Sequence, residues 1–155
     1  MRVTLTERYL PELPDVPTGG IPEVIKELQI PSPVSDALPG RFDSGDGRKI
    51  RELLVNWERL TTRMSSGWPP SGWYPPDMYA EDLRLRDELD ERVAGMEEGE
   101  RTFVRDLLER LDRAYRAASV NDDGRSLREA LGSTASDNPP GRAWYWLRHP
   151  SDLPW

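Results

Sequence analysis

The chain has 155 residues, of which 36% are apolar and 32% charged, with a formal net charge of −7 and no cysteine. That is room for one domain with one sizeable core, and it excludes disulfides, thiolate zinc sites and a cysteine nucleophile. The acidic balance argues against non-specific nucleic-acid binding, which needs cations to neutralise phosphate.

The chain opens on Arg2-Val3-Thr4-Leu5-Thr6, where Val3 and Leu5 alternate with polar neighbours as in a short strand or extended arm. No apolar leader is visible there, and no stretch approaches the roughly 20 apolar residues of a membrane span. A cytoplasmic protein is therefore expected. Pro11, Pro14, Pro17 and Gly19-Gly20 forbid regular structure. Pro22 suits the first position of a short helix over 22–29, with Ile21, Val24, Ile25 and Leu28 on one face. Pro31 and Pro33 are expected to end it, and residues 31–47 read as a connector. Its Asp43–Gly47 stretch resembles a calcium loop only loosely, because Gly45 and Leu54 fall on ligand positions. A turn with Asp46 capping the next helix is the expectation.

Arg48–Met64 has the spacing of a strong helix, with Ile50, Leu53, Leu54, Trp57, Leu60 and Met64 on one face and a net basic charge. The 65–77 loop, SSGWPPSGWYPPD, interleaves Trp68, Trp73 and Tyr74 with two Pro-Pro pairs. Stiff loops carrying large aromatic side chains suit either a cap over the core or a contact surface. Met78–Met96 follows as an acidic helix capped by Asp77, with a thin stripe of Met78, Leu83, Leu85, Leu89, Val93 and Met96. Residues 77–100 hold ten acids against three arginines, so this one segment carries the whole net charge. Its outer acids, Glu81, Asp82, Glu88 and Glu91, are the candidate docking face for a basic partner.

Glu97–Ser119 is the most periodic stretch. Phe103, Val104, Leu107, Leu108, Leu111, Ala114, Tyr115 and Ala118 form one stripe, and Glu97–Arg101, Asp106–Arg110, Glu109–Arg113 and Asp112–Arg116 are acid-to-base pairs four apart. Asn121–Gly124 reads as a turn, with Ser126 capping a short helix over 127–131. A polar linker, 133–142, leads to the tail, where Trp144, Tyr145, Trp146 and Trp155 cluster. Three tryptophans are not normally left on a mobile tail. The tail is expected across the helices or paired as a strand with Val3–Leu5.

The expected fold is mainly α: a three-helix up-and-down bundle with a Pro-rich N-terminal arm, an aromatic C-terminal tail and a small strand pair between the termini. It is read as a single domain, 1–155, with an arm over 1–47, a helical core over 48–132 and a wrapping tail over 133–155. Reactive constellations are missing. One histidine, His149, and no cysteine leave no ordinary route to a nucleophilic triad. There is no phosphate loop and no zinc motif, so no catalytic residue, metal or cofactor is assigned. The function expected on physical type is non-catalytic protein binding, as in an inhibitor, immunity- or antitoxin-like protein or adaptor. Its contacts would be Trp68, Trp73, Tyr74, Glu81, Asp82, Glu88, Glu91, Trp144 and Trp146, and its partner a protein with a basic surface rather than a nucleic acid or membrane. The alternative is a small-molecule binder or minor enzyme whose pocket is lined by Trp57, Trp68, Trp73 and Tyr115, with Arg48 or Arg51 holding an anion. Self-association through exposed aromatics is a third reading.

Overall fold

A computed structural model describes residues 32–67, 74–132 and 142–152, all within a compact unit that runs from Ser32 to Trp155. The described chain is mainly helical with a small two-stranded antiparallel sheet. The expected helix over 22–29, Val3–Leu5, Trp68, Trp73 and the end of the tail from Leu153 lie outside the described residues.

The segment read as a connector is more regular than expected. Helix α1 (Pro33–Ala37) starts at Pro33, which sits in its first turn, while Ser32 caps it by accepting from the Ser35 amide at 3.0 Å. Pro33 thus begins a helix, because a proline lacks only the N–H that a first helical turn leaves unpaired. A 3-10 turn (Gly40–Phe42) follows and buries Phe42. Arg51 holds both pieces: its guanidinium donates to the carbonyls of Ser35 at 2.6 Å and Phe42 at 3.2 Å, and to Asp43 at 2.9 Å. The side chain considered for an anion is occupied by backbone oxygens.

Helix α2 (Gly45–Ser66) buries Ile50, Leu53, Leu54, Trp57, Leu60 and Met64, the expected face, and stops at Gly67, whose φ of 84° few other residues adopt. Ser44 holds its N-cap position and Asp46 lies in the first turn. Gly47 is required by close approach: a Cβ there would stand 2.5 Å from the Arg41 carbonyl oxygen. Helix α3 (Pro76–Ala94) begins with Pro75 as N-cap and Asp77 one residue inside. Helix α4 (Glu98–Ala117) buries Val104, Leu107, Leu108, Leu111 and Tyr115 of the expected stripe, while Phe103, also expected on it, is exposed. Both α3 and α4 pack along α2, and less extensively on each other.

Two expectations change, one on the acidic helix α3 and one on α4. Its buried face is Tyr79, Ala80, Leu83, Arg86, Leu89 and Val93, while Met78 is exposed. On α4, Asp112 is turned inward, away from the solvated face that a pair with Arg116 requires. Both shifts have one cause: Arg86 and Asp112 occupy core-facing positions and neutralise each other there.

The tail does form a strand, with a different partner from the one expected. Strand β1 (Ser119–Asn121) leaves the end of α4 and pairs antiparallel with β2 (Arg148–Pro150), so that Val120 faces His149. Between them lies α5 (Arg125–Ala130). Its cap is not Ser126: Asp122 accepts from the amides of Gly124 at 3.0 Å and Ser126 at 2.9 Å and closes the turn with its carboxylate. The amides of Asp122 and Gly124 both donate to the Leu147 carbonyl, at 3.1 and 3.2 Å, which ties this turn to the tail.

Candidate functional site

The densest polar construction in the molecule lies where the tail crosses α3 and α4. Trp57 of α2 stacks on Tyr115 of α4, ring centres 4.8 Å apart. Its indole N–H needs an acceptor in this dry setting, and Asp112 supplies it at 2.9 Å. The other oxygen of Asp112 accepts from Arg86 at 3.1 Å, and Arg86 also donates to Asp90, one turn further along α3. The guanidinium lies 5.4 Å from the Trp57 ring and 4.9 Å from the Tyr145 ring, so aromatic faces replace part of its lost hydration. Burial works against the charge on Arg86, but Asp112 and Asp90 more than offset it and hold its pKa above the ordinary value. Burial pushes the Asp112 carboxyl up, against the pull of Arg86 and Trp57. The Arg86 Nε is buried without an acceptor.

The 3-10 turn Trp144–Leu147 locks the tail over this pair. Tyr145 donates its hydroxyl to Asp87 at 2.6 Å and to Asp90 at 3.2 Å, and the Trp146 indole donates to both oxygens of Asp87 at 3.0 Å. Tyr115 donates to the Tyr145 carbonyl and Tyr79 to that of Arg148, each at 2.9 Å. The two hydroxyl oxygens also lie against each other, so one of the two protons is shared between its carbonyl and the other hydroxyl. Outside, Arg116 lies 3.9 Å over Trp144 and Arg142 lies 4.1 Å over Trp146. Burial pushes the hydroxyls of Tyr79 and Tyr115 well above the usual phenol range. For Tyr145 burial and the neighbouring Asp87 and Asp90 act in the same direction. Apart from the Arg86 Nε, these groups pair with one another, so the network acts as a joint between the tail and the helices.

The expected site residues separate into distinct populations. Tyr74 is 2% exposed and Trp146 6% exposed. Tyr74 donates to Asp82, which also accepts from Asn56 at 3.1 Å. Burial first, and then Asp82, raises the Tyr74 hydroxyl. Trp144 is half-buried against Tyr115. Glu88 meets Arg92 at 3.0 Å and Lys49 at 3.9 Å, and Glu81 meets Arg84 at 2.9 Å. Glu91 is exposed and has no ion pair among the described residues. Trp57 and Tyr115, expected to line a ligand pocket, are fully buried in their stack. Arg86, Asp87, Asp90 and Asp112 were not singled out by the sequence reading. The signal available was register, since residues 79, 83, 86, 90 and 93 share one face of α3 and residues 108, 112 and 115 one face of α4.

A separate cleft of about 400 Å³ opens where the 3-10 turn and the start of α2 meet the end of α3 and the start of α4. Phe42, Ile50 and Met96 supply its apolar lining, and Asp46, Glu91, Glu97 and Glu100 its acids. Its two arginines are committed: Arg41 to Glu100 at 2.9 Å, Arg92 to Glu88 and, at 3.5 Å, to Asp46. Among the described residues no group of three or more histidines, aspartates or glutamates is placed to hold a metal ion, and no helix is long and apolar enough to cross a membrane.

Comparison with protein-family models, curated protein sequences and solved structures gave no match to this chain.

Proposed function

We propose that this protein is a non-catalytic protein-binding protein, of the inhibitor, immunity, antitoxin or adaptor kind, that meets a basic partner with the acidic side of α3 and the start of α4. The observation that carries this reading is the division of labour among the acids. Asp82, Asp87, Asp90 and Asp112 are held by internal donors. Glu91, Glu97 and Glu98 remain exposed, close in sequence and without an ion pair among the described residues. Uncompensated like charges in one place cost stability through self-repulsion and speed association with an oppositely charged surface. The aromatic residues of the tail support the reading less than their composition promised, because Tyr145 and Trp146 are used inside the fold. The pocket alternative is weakened in the same way, its Trp57 and Tyr115 being stacked on each other.

The test is affinity capture from a native lysate with the full chain, at low and high salt, beside a charge-reversed chain carrying Glu81→Arg, Glu91→Arg and Glu98→Arg. A stoichiometric protein retained by the first and lost by the second supports the reading. Equal retention by both would remove the acidic surface from the account.

A further inference from the structure

We infer that the cleft between the 3-10 turn, the start of α2, the end of α3 and the start of α4 is the seat for one arginine or lysine side chain of the protein partner; this rests on the protein-binding reading above. The argument is one of charge and shape together. Arg41 and Arg92 are answered by Glu100, Glu88 and Asp46, which leaves Glu91 and Glu97 as the cleft's unanswered charges. Arg101, at the edge, donates to the Ala94 carbonyl at 3.4 Å. The uncompensated charge of the cleft is therefore negative, and an anionic ligand would meet arginines already in use.

The lining decides between a bare cation and a side chain. Half-buried Met96 is the accessible apolar residue of the lining, while Phe42 and Ile50, which also line it, are 2% and 3% exposed. Arginine and lysine carry an apolar stem that lies on such surface while the charged head stays with carboxylate and water. A volume of about 400 Å³ is at the small end of ligand pockets, enough for a side chain and its flanking backbone. A metal ion would need several oxygens converging on one point, and no such group exists among the described residues. Gly47 lets the Arg41 and Phe42 backbone press onto α2, and the Arg41–Glu100 bridge joins that turn to α4.

The full chain, labelled with nitrogen-15, would be titrated with N-acetyl-argininamide, and with N-acetyl-leucinamide as the uncharged control, while amide shifts are followed by NMR. Saturating shifts confined to Glu91, Gly95, Met96, Glu97 and the Gly47 turn are expected with the arginine probe alone. Affinity should fall roughly tenfold in a Glu91→Gln, Glu97→Gln chain, the loss of two exposed ion pairs. The spectrum of that chain reports its folding directly. Non-saturating shifts spread over Asp77, Glu81 and the other surface acids would overturn the inference, as would unchanged affinity in the double variant. A partner lost on reversal of Glu81 and Glu98 yet unaffected by the two glutamines would overturn the seat while leaving the protein-binding reading intact.

Discussion

Replacing Asp112 by leucine tests whether the Arg86–Asp112 pair is the joint of the molecule. The carboxylate accepts from two buried donors, the Trp57 indole at 2.9 Å and the Arg86 guanidinium at 3.1 Å. Breaking a buried ion pair from one side costs about 3–5 kcal/mol, because it strands the other charge. Arg86 keeps Asp90, whose side chain is 48% exposed, so the lower end of that range applies. Leaving the Trp57 N–H without an acceptor adds about 1–2 kcal/mol, and leucine fills most of the vacated volume, which keeps a cavity cost small. The expected loss is about 4 kcal/mol, a large share of the roughly 5–15 kcal/mol that holds a domain of this size. Asp112→Asn preserves one acceptor and should lose about 1–3 kcal/mol. Arg86→Met combined with Asp112→Leu replaces the whole pair by apolar groups and should be more stable than Asp112→Leu alone. Urea unfolding followed by circular dichroism and tryptophan fluorescence measures all of these if the slope is unchanged. Asp112→Leu within 1 kcal/mol of the parent, or a double variant whose losses simply add, would refute the reasoning.

Other consequences follow from the same contacts. Tyr145→Phe removes the hydroxyl bonded to Asp87 and Asp90 and should cost about 1.5 kcal/mol; hydrogen exchange at the amides of Trp146 and Arg148 should quicken, and no change in either would speak against the lock. Burial raises the hydroxyls of Tyr74, Tyr79, Tyr115 and Tyr145, so these stay neutral in the folded chain. Unfolding then releases protons above a pH of about 10, stability falls as pH rises past that point, and tyrosinate absorbance should appear together with loss of helix rather than before it. Asp122 behaves oppositely. Burial tends to raise its pKa, but its bonds from Ser126 and Gly124 and the nearby His149 prevail and hold it below the ordinary carboxylate range. Its contribution is present above a pH of about 3.9 and is lost as pH falls through the lower folded value; Asp122→Ala should flatten that acid limb of the stability curve.

The parts of the fold legible in the sequence were those set by periodicity. The buried faces of α2 and α4 follow from apolar residues at steps of three and four, and their charged outer faces follow from the rest. What the pattern misplaced were the charged residues inside the stripe. A periodicity count treats Arg86 as polar and therefore outward, although it sits between Leu83 and Leu89 on the buried face. Only a partner of opposite sign at the matching level of another helix makes its burial affordable, and that pairing, Arg86 with Asp112, is 26 residues apart in sequence. The strand pair was hidden for a related reason. Ser119–Asn121 is too short to alternate visibly, and its partner lies beyond a helix and a linker. The helix that Pro33 begins was missed because a proline reads first as a breaker, and the signal for a start lay in the Ser32 cap. The aromatic tail was legible as buried, while its target, Asp87 and Asp90, was submerged in the general acidity of α3.

That submersion bears on how the acidic segment should be tested. Its ten acids count equally toward the net charge, yet they do two jobs that substitution can separate. Asp87 and Asp90 receive Tyr145, Trp146 and Arg86. Asp87→Asn with Asp90→Asn should therefore lower the unfolding midpoint by several degrees, since each lost charge-assisted bond is worth about 1.5–3 kcal/mol, and should leave the salt dependence of partner association nearly unchanged. Glu91 and Glu97 are exposed and form no ion pair among the described residues. Glu91→Gln with Glu97→Gln should leave the midpoint within about a degree, or raise it slightly by relieving repulsion, and should flatten the dependence of the association rate on ionic strength, which reports exposed charge within about 10 Å of the contact. Calorimetry and stopped-flow association on the two pairs would thus give crossed results. If both pairs lowered stability and association together, the acids would form one continuous electrostatic surface, and the division on which the functional reading rests would fail.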